Sequence, residues 1–119
     1  MTTFNQIDLE AIRMKALKKK QLTLNRYKME PEYGYMVTLK GNHTKAKYPT
    51  TIRIASYMAK LNVSRDKYIQ VWFDPSGEDP IWHFDIAINL QNIESAKLLA
   101  KRNNQSFIWD VVNKMEVRV

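Results

Sequence analysis

The chain has 119 residues, 45% of them hydrophobic, which suits one domain with a single core and is too short for two large ones. It contains no cysteine, so disulfides, thiolate zinc sites and cysteine nucleophiles are excluded. Its formal net charge of +7 is uneven: residues 1–67 hold 14 Lys/Arg against 5 Asp/Glu, while residues 68–119 hold 5 against 7.

That imbalance implies a polyanionic partner, whether nucleic acid, a nucleic-acid-loaded complex or an acidic protein surface, although a basic balance also serves solubility alone. No run of about eighteen apolar residues is present, and the N-terminus lacks the basic-then-apolar order of a secretory signal. A soluble cytoplasmic protein without a membrane partner is expected.

In chain order, residues 8–28 read as a helix: Asp8 suits the cap, Glu10 the first turn, and good helix formers follow without Gly or Pro until Pro31. Ile7, Ala11 and Met14 cluster on one side, but Leu9, Ile12, Leu17 and Leu24 spread widely, so the stripe is unclean. Lys18, Lys19 and Lys20 point to three sides of such a helix. Residues 1–30 are therefore expected to form a basic helical arm able to lie along phosphates, and residues 31–119 an α+β domain.

From Pro31 to Lys40 a strand is expected, with Tyr33, Tyr35, Val37 and Leu39 on one face. Gly41 and Asn42 then predict an exposed basic loop that carries His43, Lys45, Lys47 and Tyr48 up to Pro49. Thr50 or Thr51 starts a second helix that buries Ile54, Ala55, Met58 and Leu61 and turns Arg53, Tyr57 and Lys60 outward. Together, Lys45, Lys47, Arg53, Tyr57 and Lys60 make a candidate contact surface for a polyanion, because cations neutralise phosphates and an aromatic ring stacks on an unpaired base.

Tyr68 to Phe73 reads as a strand, and the turn-rich run Asp74 to Pro80 joins it in a hairpin to the strand from Ile81 to Leu90. In that strand Trp82, Phe84, Ile86, Ile88 and Leu90 alternate with His83, Asp85, Ala87 and Asn89, which predicts one buried face. Its apolar residues are expected against Ala96 and Leu99 of a helix capped by Asn92 and ended at Asn103-Asn104. Phe107 to Trp109 resumes strand character, and a second hairpin leads to Met115–Val119. The expected fold is α+β, a mainly antiparallel sheet packed against helices, in the order helix, strand, helix, strand, strand, helix, strand, strand.

Chemistry-bearing patterns are few. No Gly-rich phosphate loop, nucleophile elbow or strong metal-ligand motif is present, so no cofactor is implied. His83 and Asp85 share a strand face and could serve as base and orienter or hold a metal, with Asp110 and Glu116 on neighbouring strands; the polar face of an antiparallel sheet is the plainer role.

The C-terminal run with Glu94, Ala96, Arg102, Asn104-Gln105, Ile108-Trp109-Asp110 and Glu116-Val117 resembles a module of short phage and mobile-element proteins: a helix with E-x-A and a basic end, then N-Q, I-W-D or I-Y-D, and a closing E-I or E-V. The similarity covers about the last 40 residues of the 119. Val111-Val112-Asn113-Lys114 replaces the usual glycine-bearing turn. The resemblance implies a mobile-element origin and assigns no chemistry. Together with the charge, it leads to an expected role as a non-enzymatic counter-defence inhibitor, anti-CRISPR-like, that engages a host protein or ribonucleoprotein complex; the alternative is a free-standing DNA- or RNA-binding regulator.

Overall fold

In the computed structural model, which describes residues 5–61 and 66–119, three helices lie on one face of a curled six-stranded antiparallel sheet. The elements are α1 (Gln6–Lys19), β1 (Gln21–Leu24), β2 (Tyr35–Ala46), α2 (Thr51–Ala59), β3 (Lys67–Asp74), β4 (Ile81–Leu90), α3 (Ile93–Arg102), β5 (Phe107–Asp110) and β6 (Met115–Arg118). Across the sheet the order is β1-β3-β4-β2-β5-β6. The architecture is the α+β one expected from the sequence, with one strand more.

Strand β4 organises it. It pairs with β3 through the hairpin and with β2 on its other edge. Its alternating apolar residues all face the helices, but two clusters divide them. Trp82, Phe84 and Ile86 pack with Leu9, Ile12 and Ala16 of α1, Ile54, Tyr57 and Met58 of α2, and Leu22 and Leu24 of β1. Ile88 and Leu90 pack with Val37, Ile108 and the α3 residues Ala96, Leu99 and Ala100. The expected contact of Trp82, Phe84 and Ile86 with α3 is thus corrected: α3 covers the far end of the strand.

The N-terminal segment also departs from expectation. Asn5, not Asp8, caps α1, its side chain accepting from the Asp8 N–H, and the helix stops at Lys19 where Lys20 turns left-handed at φ 64°. Residues 21–24 then form an edge strand on β3. The buried side of α1 is Leu9, Ile12 and Ala16, whereas Ile7 and Met14 face solvent. Since α1 and β1 together supply Leu9, Ile12, Ala16, Leu22 and Leu24 to the largest core cluster, packing is continuous across residue 30 and the segment is more than an appended arm. Among the described residues, no helix is long and apolar enough to cross a membrane.

Strand β2 runs through the stretch read as a loop. Its pairing with β4 holds from Tyr35↔Leu90 to Leu39↔Ile86, shifts between Leu39 and Thr44, and resumes from Thr44↔Phe84 to Ala46↔Trp82. Gly41 (φ 91°) and Asn42 bend the strand within this irregularity without ending it. At the start of β2, Gly34 (φ 87°) sits where an added Cβ would lie 2.7 Å from Asn89 Oδ1, so a side chain there is excluded by both space and conformation.

Phe84 is fully buried at the junction of α2, β2 and β4. Phe84→Ala is expected to cost about 3–5 kcal/mol in chemical denaturation; a loss under about 1 kcal/mol would remove it from the core.

Candidate functional site

The sheet face opposite the helices carries the second set of alternating residues. Partners across the strands share a side, so Gln21 of β1, Trp72 of β3, His83 of β4 and Lys45 of β2 form one transverse row. Thr23, Gln70 and Asp85 form the next. Further along, Met36, Tyr68 and Ala87 make a small buried cluster, and there the β1–β2 connection closes over the sheet through the Asn89 Nδ2 bond to the Tyr33 carbonyl at 2.8 Å. The Trp72–His83 end has no such cover among the described residues.

The irregularity in β2 swings His43 beside this row. Its Nδ1 lies 3.0 Å from Asp85 Oδ1, and its Nε2 lies 3.1 Å from His83 Nδ1. The carboxylate can only accept, so His43 Nδ1 carries the proton; His43 Nε2 then accepts from His83 Nδ1–H. The remaining nitrogen, His83 Nε2, is left with a lone pair, fully buried and without a hydrogen bond, 3.7 Å from Asp74 Oδ2. Trp72 lies flat over the His83 imidazole, ring centroids 4.0 Å apart and 10° from parallel.

These contacts fix the electrostatics. Burial, followed by the charges of His43 and Lys45, holds the His83 pKa below the ordinary imidazole value, against the pull of Asp74 and Asp85. Hydrogen bonds from the Ser76 side chain and backbone hold Asp74 below the usual carboxylate range. Asp110 is lowered in the same way by Asn113, with which it closes the β5–β6 turn. The His83–Asp85 pair noted in the sequence is therefore part of a four-residue chain, Asp85–His43–His83–Asp74, whose members come from both sides of β4. In the sequence His43 stands apart from this pair, because a loop has no register with β4 and only the continued pairing of β2 brings it there. Among the described residues, no group of three or more His, Cys, Asp or Glu side chains could hold a metal ion.

The contact surface expected from Lys45, Lys47, Arg53, Tyr57 and Lys60 is split. Tyr57 is only 2% exposed, and its hydroxyl donates to the Asn42 carbonyl while lying 2.7 Å from Thr44 Oγ1. Arg53 donates to the same Thr44 oxygen at 2.9 Å and lies over the Phe84 ring. Both side chains therefore clamp β2 to α2 from the helix side; Tyr57 is not an outward contact group, a correction that follows from a phenol that buries its ring and still finds partners for its oxygen, whereas Arg53 stays partly exposed. Lys45, one residue past Thr44, projects to the opposite face. Lys47 and Lys60 are exposed, Lys60 with its ammonium 4.6 Å from the Tyr57 ring centroid.

Of the α1 lysines, Lys18 is exposed, Lys19 pairs with Glu30 at 3.5 Å, and Lys20 sits over the Phe73 ring. Arg13, Lys15 and Lys28 are paired with Glu10, Glu30 and Asp8. Comparison with protein-family models, curated proteins and solved structures finds no match for this chain.

Two outcomes are expected. Tyr57→Phe should cost about 0.5–1.5 kcal/mol in denaturant titration, because the hydroxyl's bonds to the part-buried Asn42 carbonyl and Thr44 are lost; no change would show the hydroxyl chain to be dispensable. As pH falls below about 6.5, an unfolded histidine takes up a proton before His83 does, so acid should lower the thermal midpoint down to the depressed folded value. Stability at neutral pH is thus the higher, and His83→Gln should flatten that part of the pH profile.

Proposed function

We propose that this chain is a small non-catalytic binding protein of a phage or other mobile element that engages a host nucleic-acid-handling complex, as a counter-defence inhibitor does. The observation that carries this reading is the charge. In the basic half the carboxylates Asp8, Glu10 and Glu30 are already matched by Lys28, Arg13, Lys15 and Lys19, yet Lys18, Lys45, Lys47 and Lys60 are exposed and in no ion pair among the described residues. Exposed cations beyond those needed internally favour a polyanionic partner.

Binding is favoured over catalysis by the way the imidazoles are held. Both nitrogens of His43 are engaged, and the free nitrogen of His83 is buried beneath an indole, which leaves neither ring positioned as a base for an outside substrate. The C-terminal resemblance supports the mobile-element origin. A second reading, a free-standing DNA- or RNA-binding regulator, is favoured by the open row with an exposed indole and Lys45.

A tagged protein should retain a nucleic-acid-handling complex from host lysate, with retention that weakens as salt rises. Reversing Lys18, Lys47 and Lys60 to Glu together should reduce retention by more than tenfold with the thermal midpoint unchanged. Retention equal to wild type would sink the reading. Retention abolished by nuclease would favour the free-standing regulator.

A further inference from the structure

Trp72 is 39% exposed although it sits in the middle of β3, with β1 on one side and β4 on the other. Its indole is held flat because the imidazole below it is itself fixed by His43 and, through His43, by Asp85. One ring face is covered by His83, so the exposure of Trp72 belongs to the rest of the side chain, its edges and its other face. Such a ring loses little conformational freedom when a second planar group stacks on it, which separates it from the exposed Tyr48 beyond the end of β2.

Along the same row, Lys45 stands two strands away, about 10 Å at about 4.8 Å per strand. The span fits a nucleotide whose base lies on the indole and whose phosphate meets the ammonium at the end of the flexible lysine stem. Gln21, also exposed, flanks the indole on the other side and brings amide donors and an acceptor. Two carboxylates lie nearby, Asp85 buried against His43 and Asp74 bonded to Ser76, and neither partner cancels their charge, so the phosphate is assigned to the lysine end of the row, at Lys45. A duplex hides its base faces, so the row suits an unpaired base.

We infer that the row Gln21–Trp72–His83–Lys45 is a docking platform for single-stranded nucleic acid, with an unpaired base stacked on the Trp72 indole and a backbone phosphate at Lys45. This rests on the polyanion-binding reading above and adds the ligand class and the residues that meet it. Lys45 contributes charge and Trp72 contributes preference for unpaired strands. Trp109, equally exposed on the same sheet face but paired to Met36 at the far end, is not part of the row.

The test measures binding of fluorescent single-stranded and duplex oligonucleotides of one length, with inorganic polyphosphate as a base-free polyanion. Wild type should bind the single strand more tightly than the duplex. Trp72→Ala should weaken single-strand binding by roughly 5- to 100-fold, the range for losing one base–aromatic stack, and leave polyphosphate binding within about twofold. Trp72→Phe should retain most of the affinity, Lys45→Glu should weaken all three ligands, and Trp109→Ala should change none. Thermal midpoints and a second variant, Trp72→Leu, which keeps His83 covered without a ring, guard against a folding defect. Single-strand binding by Trp72→Leu within twofold of wild type overturns the platform. Polyphosphate binding with no single-strand preference overturns it too while the polyanion reading stands, and no binding to any of the three ligands overturns the platform and leaves only engagement of a host complex through protein contacts.

Discussion

Strand β4 is enclosed on all four sides: β3 and β2 take its two edges, helices cover one face, and side chains from neighbouring strands, among them Trp72, His43, Met36 and Tyr68, cover the other. A strand in that position must satisfy every polar group it carries without help from bulk water. Its apolar face meets the demand by packing. On the other face, His83 is 8% exposed and Asp85 is 7% exposed, so each depends on a partner reaching in from β2. The bend at Gly41 and Asn42 delivers His43 to that position, and the same bend turns Thr44 and the Asn42 carbonyl toward Tyr57 and Arg53. One irregularity in β2 thus ties the helix layer to one face of β4 and the imidazole chain to the other.

The parts legible in the sequence are those in which local preference and tertiary packing agree. The strand from Ile81 to Leu90, the cap at Asn92 and the stop at Asn103-Asn104, with Asn104 at φ 56°, appear as expected, but the strand buries both faces and not one, since His83, Asp85, Ala87 and Asn89 are buried as well. Where the two conflict, packing prevailed. Residues 21–24 are acceptable in a helix, but Leu22 and Leu24 gain burial beside Val71 and Ile69 only as a strand, and Lys20 accepts a left-handed backbone to permit it. Gly41 and Asn42 are turn residues by composition, yet β4 offered an edge that continued pairing past them.

Tyr57 illustrates why side-chain orientation was less legible than element order. Helical spacing alone placed it with Arg53 and Lys60, apart from Ile54 and Met58. The helix, however, lies in a hollow deep enough to take a phenol as well, and the Asn42 carbonyl and Thr44 hydroxyl satisfy its oxygen there. The basic surface is consequently distributed over two sides of the protein. The open row on the far side of the sheet depends on register across four strands, information that a linear pattern of charged and aromatic residues does not contain.

The bond between the two imidazoles sets a limit on how much acid the fold can absorb locally. With one proton shared across the 3.1 Å contact, one ring donates and the other accepts. An added proton can reside on His83 Nε2, facing Asp74, and the link survives. A second proton on the rings themselves would find only His43 Nε2, where two N–H groups would confront each other across the contact. The bond across the seam between the bent part of β2 and the centre of β4 therefore needs one of the two facing ring nitrogens bare, and the indole resting on His83 depends on that condition.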